Sequence, residues 1–145
     1  MRRTEYFKEI ANTVKLNSND ITTQTGCVIV DGSDMIVATG CNRFPFGVKT
    51  DISERQERPE KYYWFIHAEI SAIVESARSG LSTDGCTMYM SCGLPCCDCA
   101  KAIINAGIKR IYCVKGEGVK GPVWDGHFER SVVMLEEAGI EVIYY

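Results

Sequence analysis

Two short runs hold the residue types that hydrolytic metal chemistry needs. One is His67-Ala68-Glu69 and the other is Pro95-Cys96-Cys97-Asp98-Cys99. Neutral imidazole and thiolate are ready zinc ligands, and three protein ligands leave a fourth tetrahedral position for water. Cys96 and Cys99 stand three apart, so on the first turn of a helix they share a face. Cys97 is turned about 100° away from Cys96 and reads as packing. Pro95 suits a helix entrance, where its missing N–H is not needed. The positive end of that helix also favours thiolate. His67 and Glu69 are two apart and would diverge on a regular helix. They serve one site if His67 is the first helical residue and the helix end faces the metal. Imidazole then reaches the ion from the rim, and the carboxylate reaches over the open position to carry protons rather than to ligate. The competing arrangement is a closed structural zinc module with Cys92 or Cys97 as fourth ligand. It leaves Glu69 without a role, and a chain of 145 residues has core enough to need no such staple.

The elements that would position these runs follow from periodicity. Tyr6, Phe7, Ile10, Ala11 and Val14 recur at helical spacing, predicting a first helix over about 4–15. Gly26–Val30 and Met35–Gly40 read as an antiparallel strand pair around the turn Asp31-Gly32-Ser33. From Asn42 to about Tyr62 no period is sustained. Long ordered loops of this kind are functional or are solvated excursions, and the residues leave both open. Ala68–Arg78 is apolar on most sides, predicting a buried central helix ended by Gly80. Strand 86–90, helix 97–105, strand 108–114, helix 127–138 and strand 141–144 then alternate, which implies parallel pairing through right-handed crossovers. The expected fold class is α/β: a single domain over 1–145 with three αβα layers, a mixed five-stranded sheet and helices on both faces.

Composition narrows the partners. A formal charge of −3 argues against a nucleic acid polymer, which demands a basic face to displace counterions. A small-molecule substrate makes no such demand. No apolar run approaches the length of a membrane span, and no signal-peptide core follows the N-terminus, so the expected location is cytoplasmic, with no membrane partner. The eight cysteines are then thiols and metal ligands in a reducing compartment. Cys27, Cys41, Cys86 and Cys113 fall in apolar strand-like runs and read as small buried hydrophobes.

The pattern H-x-E with P-C-x-x-C is the signature of zinc-dependent base deaminases. With these motifs the chain resembles the cytidine deaminase-like superfamily, and within it the deoxycytidylate (dCMP) deaminases. The resemblance runs over nearly the whole chain. It is densest in Arg58–Tyr63, His67–Glu69 and Pro95–Arg110, and Ser18–Gln24 is similar to the family's opening segment. It implies a zinc-dependent hydrolysis of dCMP to dUMP and ammonia, with zinc on His67, Cys96 and Cys99 and Glu69 as the catalytic acid and base. It further implies substrate contacts at Asn42, for a sugar hydroxyl, at Ala68 and at the backbone around Ser91. Trp124 and His127 lie in Gly121–His127, which reads as a loop entering the last helix, and Trp124 is placed there to close over the nucleotide. A homohexamer, dCTP as activator, and dTTP as inhibitor with Mg2+ complete the family picture. The family's Gly-Tyr-Asn-Gly reads Gly40-Cys41-Asn42-Arg43 here. That departure falls where effectors bind, and makes Arg43 a candidate phosphate, effector or interface contact. Arg78, at the far end of the central helix, is a second effector or interface candidate. His127 reads as a surface residue and not as a ligand.

Overall fold

The computed structural model describes residues 2–116 and 121–145, with the backbone alone at Val123. Its elements in chain order are α1 (Arg3–Val14), β1 (Gly26–Val30), β2 (Ile36–Cys41), α2 (Lys61–Trp64), α3 (Ala68–Arg78), β3 (Thr87–Met90), α4 (Cys97–Asn105), β4 (Arg110–Cys113), α5 (Pro122–Glu137) and β5 (Glu141–Tyr144). The described strands form one sheet in the order β2-β1-β3-β4-β5. β1 runs antiparallel to both neighbours, from Gly26 opposite Cys41 and from Cys27 opposite Met90. β3, β4 and β5 are parallel to one another.

Strand alternation divides the core between two faces. Cys27, Ile29, Met88, Met90, Ile111 and Cys113 turn to one side, where Ala68 and Ala72 of α3, Ala100 and Ile103 of α4, and Leu135 of α5 cover them. Val28, Val30 and Tyr89 turn to the other side, under Phe7 and Ala11 of α1. The expected three-layer α/β architecture with a mixed five-stranded sheet is what the chain forms. Cys27, Cys41, Cys86 and Cys113 are all buried free thiols.

One close approach sets the position of α3. A Cβ on Gly40 would meet the backbone nitrogen of Ala72 and lie 2.6 Å from the carbonyl oxygen of Ala68. The bare glycine lets the helix lie directly on β2, and so fixes where the helix begins.

Three sequence expectations are corrected. α5 begins at Pro122 rather than near residue 127, because Gly121 turns the chain at φ 130 and Pro122 occupies the helix entrance. The stretch between Asn42 and Tyr62 is not loop throughout. It contains a 3-10 turn at Ser53–Gln56 and the start of α2. α3 is not buried all round: Ala72 and Ser76 face inward while Val74 is 49% exposed. Among the described residues no helix is long and apolar enough to cross a membrane.

Candidate active site

Two helices present their N-terminal ends to the same point. His67 caps α3 in an extended conformation (φ −72, ψ 154), and Cys96 caps α4 in the same way (φ −69, ψ 171). Each thus lies one position earlier than the first helical residue, so its side chain leaves the helix end instead of running along the flank. Their carbonyls accept the first helical bonds, from Ser71 N at 2.9 Å and Ala100 N at 2.8 Å. The backbone of Arg43 exchanges hydrogen bonds with that of Ile66, at 3.1 and 2.8 Å, and this bridge holds the residue just before His67 against the end of β2.

His67 Nδ1 stands 3.5 Å from Cys96 Sγ and 3.3 Å from Cys99 Sγ. Among the described residues these three form the group whose ligand atoms all lie within 4.8 Å of one another. Zn–N of about 2.05 Å and Zn–S of about 2.3 Å at tetrahedral angles separate nitrogen from sulfur by about 3.5 Å, so the donor set fits zinc in both type and spacing. Electrostatics agrees. The neighbouring Cys99 thiol and the His67 imidazole draw the Cys96 thiol down to about 4 despite its burial. The hydrogen bond from His67 to Cys96 raises the imidazole to about 9, against the opposing effect of burial. The neighbouring Cys96, burial and Glu69 together push the Cys99 thiol far up. Several protons thus crowd one anionic point that a divalent cation would satisfy.

Glu69 is 6% exposed. Its Oε2 accepts from Cys99 Sγ at 3.2 Å and its Oε1 from Cys92 Sγ at 3.8 Å, so the carboxylate lies against the ligand cluster without belonging to it. A fourth sulfur does not close the site. Cys97 donates to the His127 carbonyl at 3.0 Å, and Cys92 lies outside the ligand group, its thiol held protonated by burial and by Glu69.

His67, Glu69 and Cys96 line a cavity of about 560 Å³, within the range of small-molecule sites. Trp124 stands over His67, ring centroids 6.0 Å apart, and meets Tyr62 edge-on at 5.4 Å. These rings offer an apolar wall for a flat heterocycle. The sequence treats Trp124 and His127 as loop residues; both lie on α5, and the His127 ring packs on Trp124 at 5.4 Å.

The proposed substrate residues separate. Asn42, Ser91 and Trp124 line the cavity. Asn42 is locked in place: its amide donates to Thr23 O at 2.7 Å and to Asp20 Oδ2 at 3.2 Å, and its Oδ1 accepts from Thr25 N at 2.8 Å. Ser91 Oγ accepts from Gly26 N at 2.8 Å. Ala68 is 1% exposed, packs in the core against β2 and does not line the cavity. Arg43 and Arg78 do not line it either. Their guanidinium groups lie over the exposed ring of Phe46, at 4.3 and 5.5 Å.

A further wall of the cavity has no counterpart among the expected site residues. Lys61 and Asp20, 6% and 3% exposed at the side chain, form an ion pair at 2.7 Å, and Lys61 also donates to Thr22 Oγ1 at 3.1 Å. Burial would raise the Asp20 carboxyl. Lys61 and the amides of Thr22 and Thr23 outweigh it, and hold the group below the usual value. Lys15 and Arg58 line the same cavity. The resemblance marks 18–24 and 58–63 as similar segments, which was the available signal, but it gives these side chains no role.

The sequence model for the cytidine and deoxycytidylate deaminase zinc-binding region matches residues 1–115. The chain belongs to the cytidine and deoxycytidylate deaminase family. Within that family it is 34% identical, over 95% of its length and 90% of the relative's, to an uncharacterized deaminase of Aliivibrio fischeri. It is 37% identical to a probable deoxycytidylate deaminase of Caenorhabditis elegans, over 77% of this chain and 57% of that one. The chain therefore spans somewhat over half the length of that deoxycytidylate deaminase. A crystal structure of the cyanophage S-TIM5 dCMP deaminase in complex with dCMP and dUMP superposes with a TM-score of 0.76 at 27% identity, covering 97% of this chain and 95% of the phage protein.

Proposed function

We propose that this family member hydrolyses dCMP to dUMP and ammonia. The observation that carries the reading is the placement of Glu69 against a three-ligand zinc centre, at the floor of a cavity walled by Trp124. Zinc held by His67, Cys96 and Cys99 would lower the pKa of a water toward about 7 and so supply the nucleophile. Glu69 accepts the proton released as that water adds to C4 of the cytosine, and delivers it to the adjacent ring nitrogen. It then carries the second proton, from the newly added hydroxyl, to the exocyclic amine; the C4–N bond breaks, ammonia departs and C4=O forms. Asn42 and the backbone at Ser91 flank the sugar and the amine. The worm relative's name and the nucleotides in the phage structure support the monophosphate as substrate.

Zinc-loaded protein incubated with dCMP, dCTP, cytidine and cytosine tests this by ammonia release. dCMP should be turned over in preference. Turnover of dCTP alone would overturn the substrate assignment.

The homohexamer and the response to dCTP and to dTTP with Mg2+ that the resemblance implies belong to the same proposal. Arg43 and Arg78 share Phe46 outside the cavity, so an effector held there would act without competing for the substrate's place. Light scattering reads the assembly, and dCMP saturation curves with and without dCTP read the response.

A further inference from the structure

We infer that Lys15 and Arg58 form the seat for the substrate's 5′-phosphate, an inference that rests on the nucleotide-deaminase reading above. The cavity has a buried floor, with Glu69 and Cys96 5–6% exposed, and a mouth at which Arg58 is exposed and Lys15 half-buried. Besides His67 at the metal-ligand cluster, three cationic side chains line it: Lys15, Arg58 and Lys61. Lys61 is committed to Asp20 at 2.7 Å. Among the described residues Lys15 and Arg58 have no carboxylate within 4.0 Å. Of the carboxylates that line the cavity, Asp20 is neutralised by Lys61, and Glu69 lies at the floor. Among the described residues the mouth therefore carries two cations without a paired carboxylate, in a chain whose formal net charge is −3.

Arg58 is also oriented. Its Nη2 donates to Thr23 Oγ1 at 3.3 Å, which ties the guanidinium to the cavity wall and leaves its other N–H groups available. A guanidinium fork and an ammonium together suit phosphate oxygens. The charge also matches. A phosphate monoester carries about −1.5 to −2 at neutral pH, which two cations balance. With the base against Trp124 and the zinc ligands, a 5′-phosphate points outward, toward this pair. Arg43, the cation that the sequence nominates for phosphate, instead covers Phe46 outside the cavity.

Calorimetric titration of zinc-loaded protein with dUMP and with deoxyuridine separates phosphate recognition from nucleoside recognition. Arg58→Gln and Lys15→Gln should each weaken dUMP about 10-fold, and the double variant about 100-fold, with deoxyuridine affected far less. Unchanged dUMP affinity in the double variant overturns the assignment, and so does equal weakening of dUMP and deoxyuridine. The titration stands apart from the reaction: wild type that binds dUMP at this seat but releases no ammonia from dCMP sinks the proposed activity and leaves the phosphate seat intact.

Discussion

Lys61 Nζ lies 2.7 Å from Asp20 Oδ2, and both side chains are almost wholly removed from solvent. This pair joins the start of α2 to the segment that precedes β1, and through Asp20 it reaches the amide of Asn42 at 3.2 Å. Breaking a buried pair from one side leaves a bare charge in a poorly solvated place. Asp20→Asn should destabilise the protein by about 3–5 kcal/mol in urea unfolding. The double variant Asp20→Asn, Lys61→Met, which strands no charge, should be less damaging than the single change. A single variant as stable as wild type would show that the pair is solvated in practice.

The same carboxyl gives stability a pH dependence. The folded-state pKa of Asp20 is depressed, with Lys61 and two amides outweighing burial. The unfolded chain therefore binds this proton more readily than the folded one. The stabilisation is fully present above the ordinary aspartate value of about 3.9, and is lost as pH falls through the lower folded value. Unfolding midpoints followed below pH 4 should decline more steeply in wild type than in the Asp20→Asn, Lys61→Met variant. Parallel declines would remove Asp20 from the account.

Glu69→Gln keeps the shape of the side chain but cannot take a proton. It should lower kcat for deamination by about 10²–10⁴-fold while bound zinc, measured by atomic absorption, stays near one per chain. Loss of zinc in this variant would mean that the carboxylate holds the metal rather than serving the reaction.

Gly40→Ala places a methyl group against the backbone of Ala68 and Ala72. No flexible side-chain end is there to yield, so the helix has to shift. A cost of about 1–3 kcal/mol is expected, together with a drop in kcat as His67 and Glu69 move with α3. An alanine variant of wild-type stability and activity would show that the helix has slack in this position.

The metal centre was legible because its signals are local. His67-Ala68-Glu69 and Cys96 to Cys99 each span one helix start, so spacing alone says what faces what. His67 caps α3 instead of opening it, one position off the expectation, while α4 spans the expected 97–105. The strands were legible as short apolar runs bounded by turn residues: β1 is buried at all five positions, with Asp31-Gly32-Ser33 following it. α5 was misjudged at its start because Gly121, Pro122 and Gly126 look like breakers, although proline at a helix entrance and a tolerated glycine interrupt nothing. The wall built by Lys61 and Asp20 was hidden for a different reason. Each residue stands in a polar stretch where a solvated charge is the ordinary reading, and only the tertiary fold brings the two together away from water. Arg43 was visible as a cation, but sequence does not give aim, and its guanidinium turned outward onto Phe46.

The cavity's floor and its mouth come from different kinds of structure. His67, Glu69 and Cys96 sit on helix starts pinned to the sheet, whereas Lys15, Asp20 and Arg58 come from the end of α1 and from connecting segments, and Lys61 from the start of the short α2, tied to Asp20 by an ion pair. Choice of guest and the proposed hydrolytic step therefore draw on different segments of the chain. Altered connecting segments can retune which molecule is admitted while the hydrolytic hardware beneath stays put, a division of labour that lets one scaffold serve many relatives with different diets.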